Sequence, residues 1–214
     1  MRKKRLAGQS VPEDFDKNVF INCPLDKKFT PLFRAMIFAV HDVGFRPRCA
    51  LESSNAGQVR LIKILDIIAE CKYSIHDLSR TELDDTHGLP RFNMPLELGL
   101  DLGCKRYGQE HQQEKVLLIF DKEQYRYQKF ISDIAGQDIA EHQSKESHVI
   151  NTIRKFFMNE RRVIIPSGEE ITRRYRTFKR SLPTICAELK LNANDLSFIE
   201  LSYVAATWTK NHPL

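Results

Sequence analysis

Apolar and polar positions alternate between two periods along the chain. "NVFINCP", residues 18 to 24, is a short β-branched and aromatic run stopped by proline, which predicts a strand. "FTPLFRAMIFAVHDVG", 29 to 44, carries apolar residues at 32, 33, 36, 37 and 40, the spacing of a helix, and Gly44 closes it. "FRPRCALE", 45 to 52, reads as a second, short strand and "SSNAGQ" as a polar loop. "VRLIKILDIIAEC", 59 to 71, has apolar residues at 61, 62, 64, 65, 67 and 68, predicting a helix with most of its surface buried. "YSIHDLS", 73 to 79, is a third strand, followed by a loop containing "DDTHG". A helix is expected over 94 to 106 and a strong strand in "KVLLIFD", 115 to 121. "YQKFISDIAGQDI" and "SHVINTIRKFFMNE" read as further helices.

Strand and helix therefore alternate, which predicts an α/β fold: a flavodoxin-like parallel sheet with helices on both faces, over residues 17 to 160. In such sheets ligands bind beyond the carboxyl ends of the strands. Loops after Pro24, Leu51, Ser79 and Asp121 should share that edge. The texture changes after "VIIPSGEE": residues 166 to 214 read as a helical C-terminal appendage of about three helices. Residues 1 to 16, opening "MRKKR", read as a basic flexible arm without the apolar stretch of a secretory signal.

Composition narrows the function. Hydrophobic content of 42% and charged content of 29% describe a globular protein, and no apolar run reaches the roughly 20 residues of a membrane span. No membrane partner is expected. The five cysteines form no C-x-x-C pair and are odd in number, so reduced thiols in a cytoplasmic protein are the reading, not a disulfide scaffold or a zinc site. The net charge of +5 suits a phosphate-bearing ligand, with a solvated basic surface as the plainer alternative.

The chemistry concentrates in "GLPRFNMPLELGLDLG", 88 to 103, where Glu97 follows Pro95 in an otherwise apolar helix. Pro95 fits a first helical turn, Asn93 can cap it, and Glu97 would then meet the positive end of the helix dipole and stay ionised. The other reading makes Glu97 a catalytic carboxylate at the strand edge. "HDLSR" brings Asp77, Ser79 and Arg80 there, and Asn22 and Asp26 leave the first strand at the same edge. A serine or aspartate can bond sugar hydroxyls, an arginine can hold phosphate, and an ionised carboxylate suits an oxocarbenium-like carbon.

"NVFINCP", "SIHDLS" and "FNMPLELGLDLG" together resemble the superfamily of nucleoside 2-deoxyribosyltransferases and bacterial TIR-like domains. Its members carry a D-x-S-like element at a strand end, then a loop, then a helix opening with E-L-G; here these are Asp77-Leu78-Ser79 and Glu97-Leu98-Gly99. The resemblance implies that Glu97 attacks, or stabilises charge at, the sugar carbon of an N-glycosidic bond. It implies substrate binding by Asn22, Asp77, Ser79, Arg80 and Asn93. The implied function is nucleotide N-glycosidase, releasing the base of NAD or a related nucleotide, with NAD as a possible substrate and no cofactor. Anti-phage defence, a homo-oligomer and a protein partner reached through the C-terminal appendage follow from the same resemblance. The alternatives are a non-catalytic nucleotide-sensing or partner-docking module and a nucleoside deoxyribosyltransferase, so enzymatic activity stays open.

Other candidates have plainer readings. His76 sits in an apolar strand and reads as a core histidine with a satisfied ring. Cys23 lacks a neighbour in sequence that would activate it. Ser53, Ser54, Gly57 and Arg60 could cradle a phosphate or simply form a capping loop. Tyr125, Arg126, Tyr127 and Phe130 could stack a base, with core packing the better reading. No metal is expected, because the acidic and histidine pairs lack ligand spacing.

Overall fold

The computed structural model describes residues 10–83 and 88–214. The basic cluster "RKKR" and most of the "DDTHG" loop lie outside the described residues.

Five strands form one parallel sheet: β1 (Asn18–Asn22), β2 (Arg46–Arg48), β3 (Tyr73–Asp77), β4 (Val116–Asp121) and β5 (Ile139–Glu141). Their spatial order is β2-β1-β3-β4-β5, the flavodoxin-like arrangement, with every pairing parallel. Burial of every residue of β1 and β3 is what a sheet covered on both faces demands. Helices α2 (Arg60–Ala69) and α3 (Asn93–Tyr107) cover one face; α1 (Thr30–Asp42) and α4 (Glu146–Arg161) cover the other.

Helix α1 is apolar almost all round: Ala35 to Val40 are fully buried in sequence. Such a helix needs a second cover besides the sheet. The C-terminal helices supply it. α5 (Gly168–Glu188) and α6 (Phe198–Asn211) bring Tyr175, Phe178 and Trp208 around Phe38, with ring centroids 5.1 to 5.6 Å apart. The side chains of both helices belong to the same hydrophobic cluster as the sheet and α1. The region holds two helices where about three were expected, because α5 continues through Pro183.

Three other expectations need correction. Residues 127 to 139 are not a helix but two short 3-10 turns, at Arg126–Lys129 and Ser132–Ile134, leading into β5. Gly136 at φ +102° breaks the helical path, and β5 was hidden by its three-residue length. β2 is likewise only three residues long. Helix α2 is not largely buried: Val59, Leu61 and Ile62 are exposed, and only Ile64, Ile67 and Ile68 are buried. The N-terminal arm is anchored at its end, where Phe15 is 2% exposed and packs its ring against His111. The helical end at Gly44 is as expected: its φ of +87° is the left-handed position that glycine fills without strain.

Candidate functional site

The strand order reverses between β1 and β3, because β2 lies beyond β1 while β4 and β5 lie beyond β3. Crevices in open parallel sheets form at such reversals. A cleft of about 470 Å³ opens there. The loop after β1 lines it with Asp26, Lys27 and Lys28, and the loop after β3 with Arg80, Glu82 and Leu83. Arg91, just before α3, completes the described wall. A smaller cavity of about 190 Å³ adjoins it, sharing Lys28, Arg80 and Glu82 and reaching Ser79, Lys122 and His142.

Glu97 lies in the second turn of α3. It is 7% exposed, and no described residue donates a hydrogen bond to its carboxylate. Burial pushes its pKa up to about 7, against the opposing charge of Arg60 at the start of α2. This reverses the expectation of a carboxylate kept ionised by the helix dipole: desolvation outweighs the dipole one turn into the helix. Asn93 does not cap α3 either. It is the first helical residue, exposed, and the preceding position, Phe92, contributes no side-chain cap.

Asn22, the last residue of β1, lies beside His76 of β3 in the parallel register. Its side-chain amide donates to the Met94 carbonyl in the first turn of α3 at 3.0 Å and faces His76 Nδ1 at 3.0 Å. His76 Nε2 is 2.9 Å from Asp101 Oδ2, and Asp101 Oδ1 is 3.1 Å from the ammonium of Lys115. Lys115 also donates to the carbonyls of Ile68 and Cys71. All four side chains are buried. Burial pushes the Asp101 carboxyl up, but His76 and Lys115 together hold it below the ordinary range. Met94, Glu97 and Asp101 sit at i, i+3 and i+7 of α3, one stripe facing the sheet. The chain of bonds thus anchors the helix that carries Glu97 to the ends of two strands.

Asp77 is fully buried and already engaged. Its Oδ1 accepts from the backbone amide of Ser79 at 2.9 Å and from the Ser79 hydroxyl at 2.5 Å. Its Oδ2 faces His142 Nε2 at 3.1 Å. The His142 ring is turned by its other nitrogen, Nδ1, which accepts from the Ser144 amide at 2.8 Å. Asp77 therefore shapes the turn after β3 and ties it to the exit of β5, rather than presenting a free carboxylate to a sugar. Asp121, at the end of β4, is held similarly by Arg126, which also donates to the Leu78 carbonyl at 2.8 Å. Burial raises the Asp121 pKa and Arg126 opposes it.

Of the residues expected to bind substrate, Arg80 lines both cavities and Ser79 the smaller one. Asn22 and Asp77 stand behind the site as supports, and Asn93 is on the surface. Glu97 is not among the described residues that line either cavity; its charge and that of Asp26 both act on the buried Cys23 thiol. That thiol is no nucleophile, because burial and the surrounding carboxylates, Asp77 among them, drive its pKa well up. The loop at 53 to 58 is an Asx turn, Gly57 N–H donating to Asn55 Oδ1 at 3.0 Å. In the 125 to 130 stretch Tyr127 is core, and Arg126 lies 5.1 Å over the Phe130 ring while paired with Asp121.

Asp101, Lys115 and His142 were not singled out in the sequence. Asp101 had a legible signal, since it lies four residues after Glu97 on the same helix face. Lys115 and His142 had none: a lysine before a strand and a histidine after a short one are ordinary surface residues until tertiary packing buries them. Among the described residues no cluster of His, Cys, Asp or Glu could hold a metal, and no helix is long and apolar enough to cross a membrane. No family model, no curated protein and no solved structure matches the chain.

Proposed function

We propose that the protein binds a nucleotide at the β1/β3 edge and releases its base by hydrolysing the N-glycosidic bond, with Glu97 as the catalytic group. The observation that supports this most is the state of Glu97. A glutamate only 7% exposed, its carboxyl without a hydrogen-bond donor among the described residues and raised to about 7, works against stability. Groups in that condition concentrate at functional sites. Its helix is bonded to the ends of β1 and β3, the edge at which the cleft opens, and this supports the same reading.

The chemistry asked of Glu97 is simple. As the base departs, positive charge develops on the sugar carbon, and an ionised carboxylate stabilises it in a water-poor setting. Water then bonds to that carbon and loses a proton. A base attached through a neutral nitrogen takes up a proton as it departs. The cationic nicotinamide of NAD instead leaves neutral on receiving the bond's electron pair, and the proton goes to solvent. A carboxyl with a pKa near 7 can also exchange protons at neutral pH. NAD is one substrate of this class. The five reduced cysteines suit a cytoplasmic setting, which belongs to this proposal.

A second reading keeps the fold as a nucleotide-sensing module. It is favoured by one observation: Asp77, the expected sugar ligand, is fully buried, with Oδ1 taken by Ser79 and Oδ2 turned toward His142. Purified protein incubated with NAD, nucleosides and nucleoside monophosphates separates the two. Free base from wild type and none from Glu97→Gln supports the enzyme. No release by wild type at high protein concentration, alongside measurable nucleotide binding, supports the module.

A further inference from the structure

We infer that the paired cavities between the loops after β1, β3 and β4 form a phosphate-binding site, so that the ligand is a phosphorylated nucleotide and not a nucleoside. This deepens the reading of the same edge as a nucleotide site and rests on it for the sugar and base.

Charge and position carry the inference. Lys27 and Lys28 from the β1 loop, Arg80 from the β3 loop and Lys122 from the β4 loop converge on the two cavities, against the carboxylates of Asp26 and Glu82. Three chain segments far apart in sequence thus contribute cations to one concave surface. Two of these cations, Lys27 and Lys28, form no ion pair with a described residue. Arg80 is held only loosely, its guanidinium 3.4 Å from Asp26 Oδ2 and 3.5 Å from Asp26 Oδ1. Those distances are long for a charge-assisted bond. Asp26 has another task, since its Oδ1 accepts from the Phe29 amide at 3.0 Å where α1 begins. Arg80 can therefore turn to an incoming phosphate without undoing that turn.

The smaller cavity adds neutral and buried polar groups. Ser79 is 5% exposed and His142 1% exposed, and both reach its wall. His142 Nε2 lies near Asp77 Oδ2 but out of line for a hydrogen bond, leaving a buried polar edge incompletely satisfied at the cavity. The start of α1 lies beside Lys27 and Lys28, so the positive end of its dipole adds to the same field. A phosphate bound between Lys28 and Arg80 would sit at the junction of the two cavities.

The test uses inorganic pyrophosphate, which carries the shared chemistry without committing to a base. Calorimetric titration of the full chain at low salt should give saturable one-site binding. Lys27→Glu/Lys28→Glu should weaken it by at least about ten-fold, because two charge-assisted contacts turn repulsive. Lys155→Glu on α4 is the control for net charge, being exposed and lining neither cavity, and should leave affinity within about two-fold. Arg80→Gln should weaken binding without reversing a charge. Absence of saturable binding overturns the inference, as does equal weakening by Lys155→Glu. The catalytic reading fails separately: pyrophosphate binding with no base release from any nucleotide sinks the N-glycosidase and leaves the phosphate site standing. Base release from nucleosides as efficient as from their 5′-phosphates sinks the phosphate site and leaves the enzyme.

Discussion

His76 donates from Nε2 to Asp101 Oδ2 across 2.9 Å, with both side chains fully buried. Its Nδ1 faces the amide of Asn22, a donor, so the ring proton belongs on Nε2. The pair joins the middle of the sheet to α3 and sets the stripe on which Glu97 stands. Lys115 closes the other end, 3.1 Å from Asp101 Oδ1. Histidine in an apolar strand is therefore a satisfied core residue, as its sequence context suggested, but one that carries a helix.

Removing the shared carboxylate should expose how much depends on it. Asp101→Asn leaves the buried Lys115 ammonium without its counter-charge, and breaking a buried pair this way costs about 3–5 kcal/mol. Urea unfolding at pH 7 should record that loss. The double variant Asp101→Leu/Lys115→Met should recover much of it, since neither charge then remains buried. A loss below about 0.5 kcal/mol for Asp101→Asn, the scale of an ordinary surface change, would refute the network's role.

Glu97 separates two physical roles by the sign of one measurement. Its folded-state pKa of about 7 lies above the ordinary 4.5, so burial favours the protonated form. The stability it contributes is present below about pH 4.5 and is lost as pH rises through 7. Glu97→Gln should therefore raise stability at pH 8 by on the order of 2 kcal/mol, with the gain vanishing at pH 4. A helix-dipole role predicts the opposite, a loss of about 0.3–1 kcal/mol at neutral pH. Thermal melts at both pH values decide between them.

On the proposed function, the same substitution should lower base release by about 10² to 10³, the usual scale for a key electrostatic contact. Wild-type kcat/KM should rise with pH through about 7 as Glu97 ionises. A flat profile between pH 5.5 and 8.5, roughly the span that brackets such a titration, would remove Glu97 from the chemistry.

The C-terminal layer hangs on Asp42 and Arg174. The guanidinium of α5 reaches the Asp42 carboxylate at the end of α1 at 2.7 and 3.0 Å, lies 5.4 Å over Trp208 and donates to the His212 carbonyl. Asp42→Ala should cost about 3–5 kcal/mol by stranding the arginine. Hydrogen exchange should show α5 and α6 losing protection before the sheet. Uniform loss across the sheet and helices would mean that no separate layer opens.

His41 gives the molecule an acid limit on the same side. It is half-buried against Ser202 of α6 at 2.8 Å, and burial followed by the Arg46 charge lowers its pKa to about 4. A depressed histidine contributes stability above its unfolded value of 6.5, lost as pH falls through 4. The cost on acidification is on the order of 2 kcal/mol. His41→Gln should flatten the stability profile between pH 6.5 and 4. An unchanged slope would assign the acid lability elsewhere.

What the sequence by itself determined was the alternation of strands and helices through β4 and the strand-end edge at which the cleft opens. "NVFIN", "YSIHD" and "VLLIFD" are continuous apolar runs because their strands are covered on both faces, and that local fact is written in composition. Strand-end loops followed from it, which is why Arg80 was expected at the edge whose cavities it lines. Glu97 stood out as an acid just after Pro95 near the start of α3, yet its charge state was misjudged, because the dipole is local to a helix whereas desolvation depends on what packs above it. Only the tertiary structure decided that Asp77 is tied to His142 from a strand three residues long, and that Lys115 is buried against Asp101. It also decided that α5 and α6 are the second cover of α1. Each of these joins residues 14 to 170 positions apart, and pairings at that range leave no period in the chain to read.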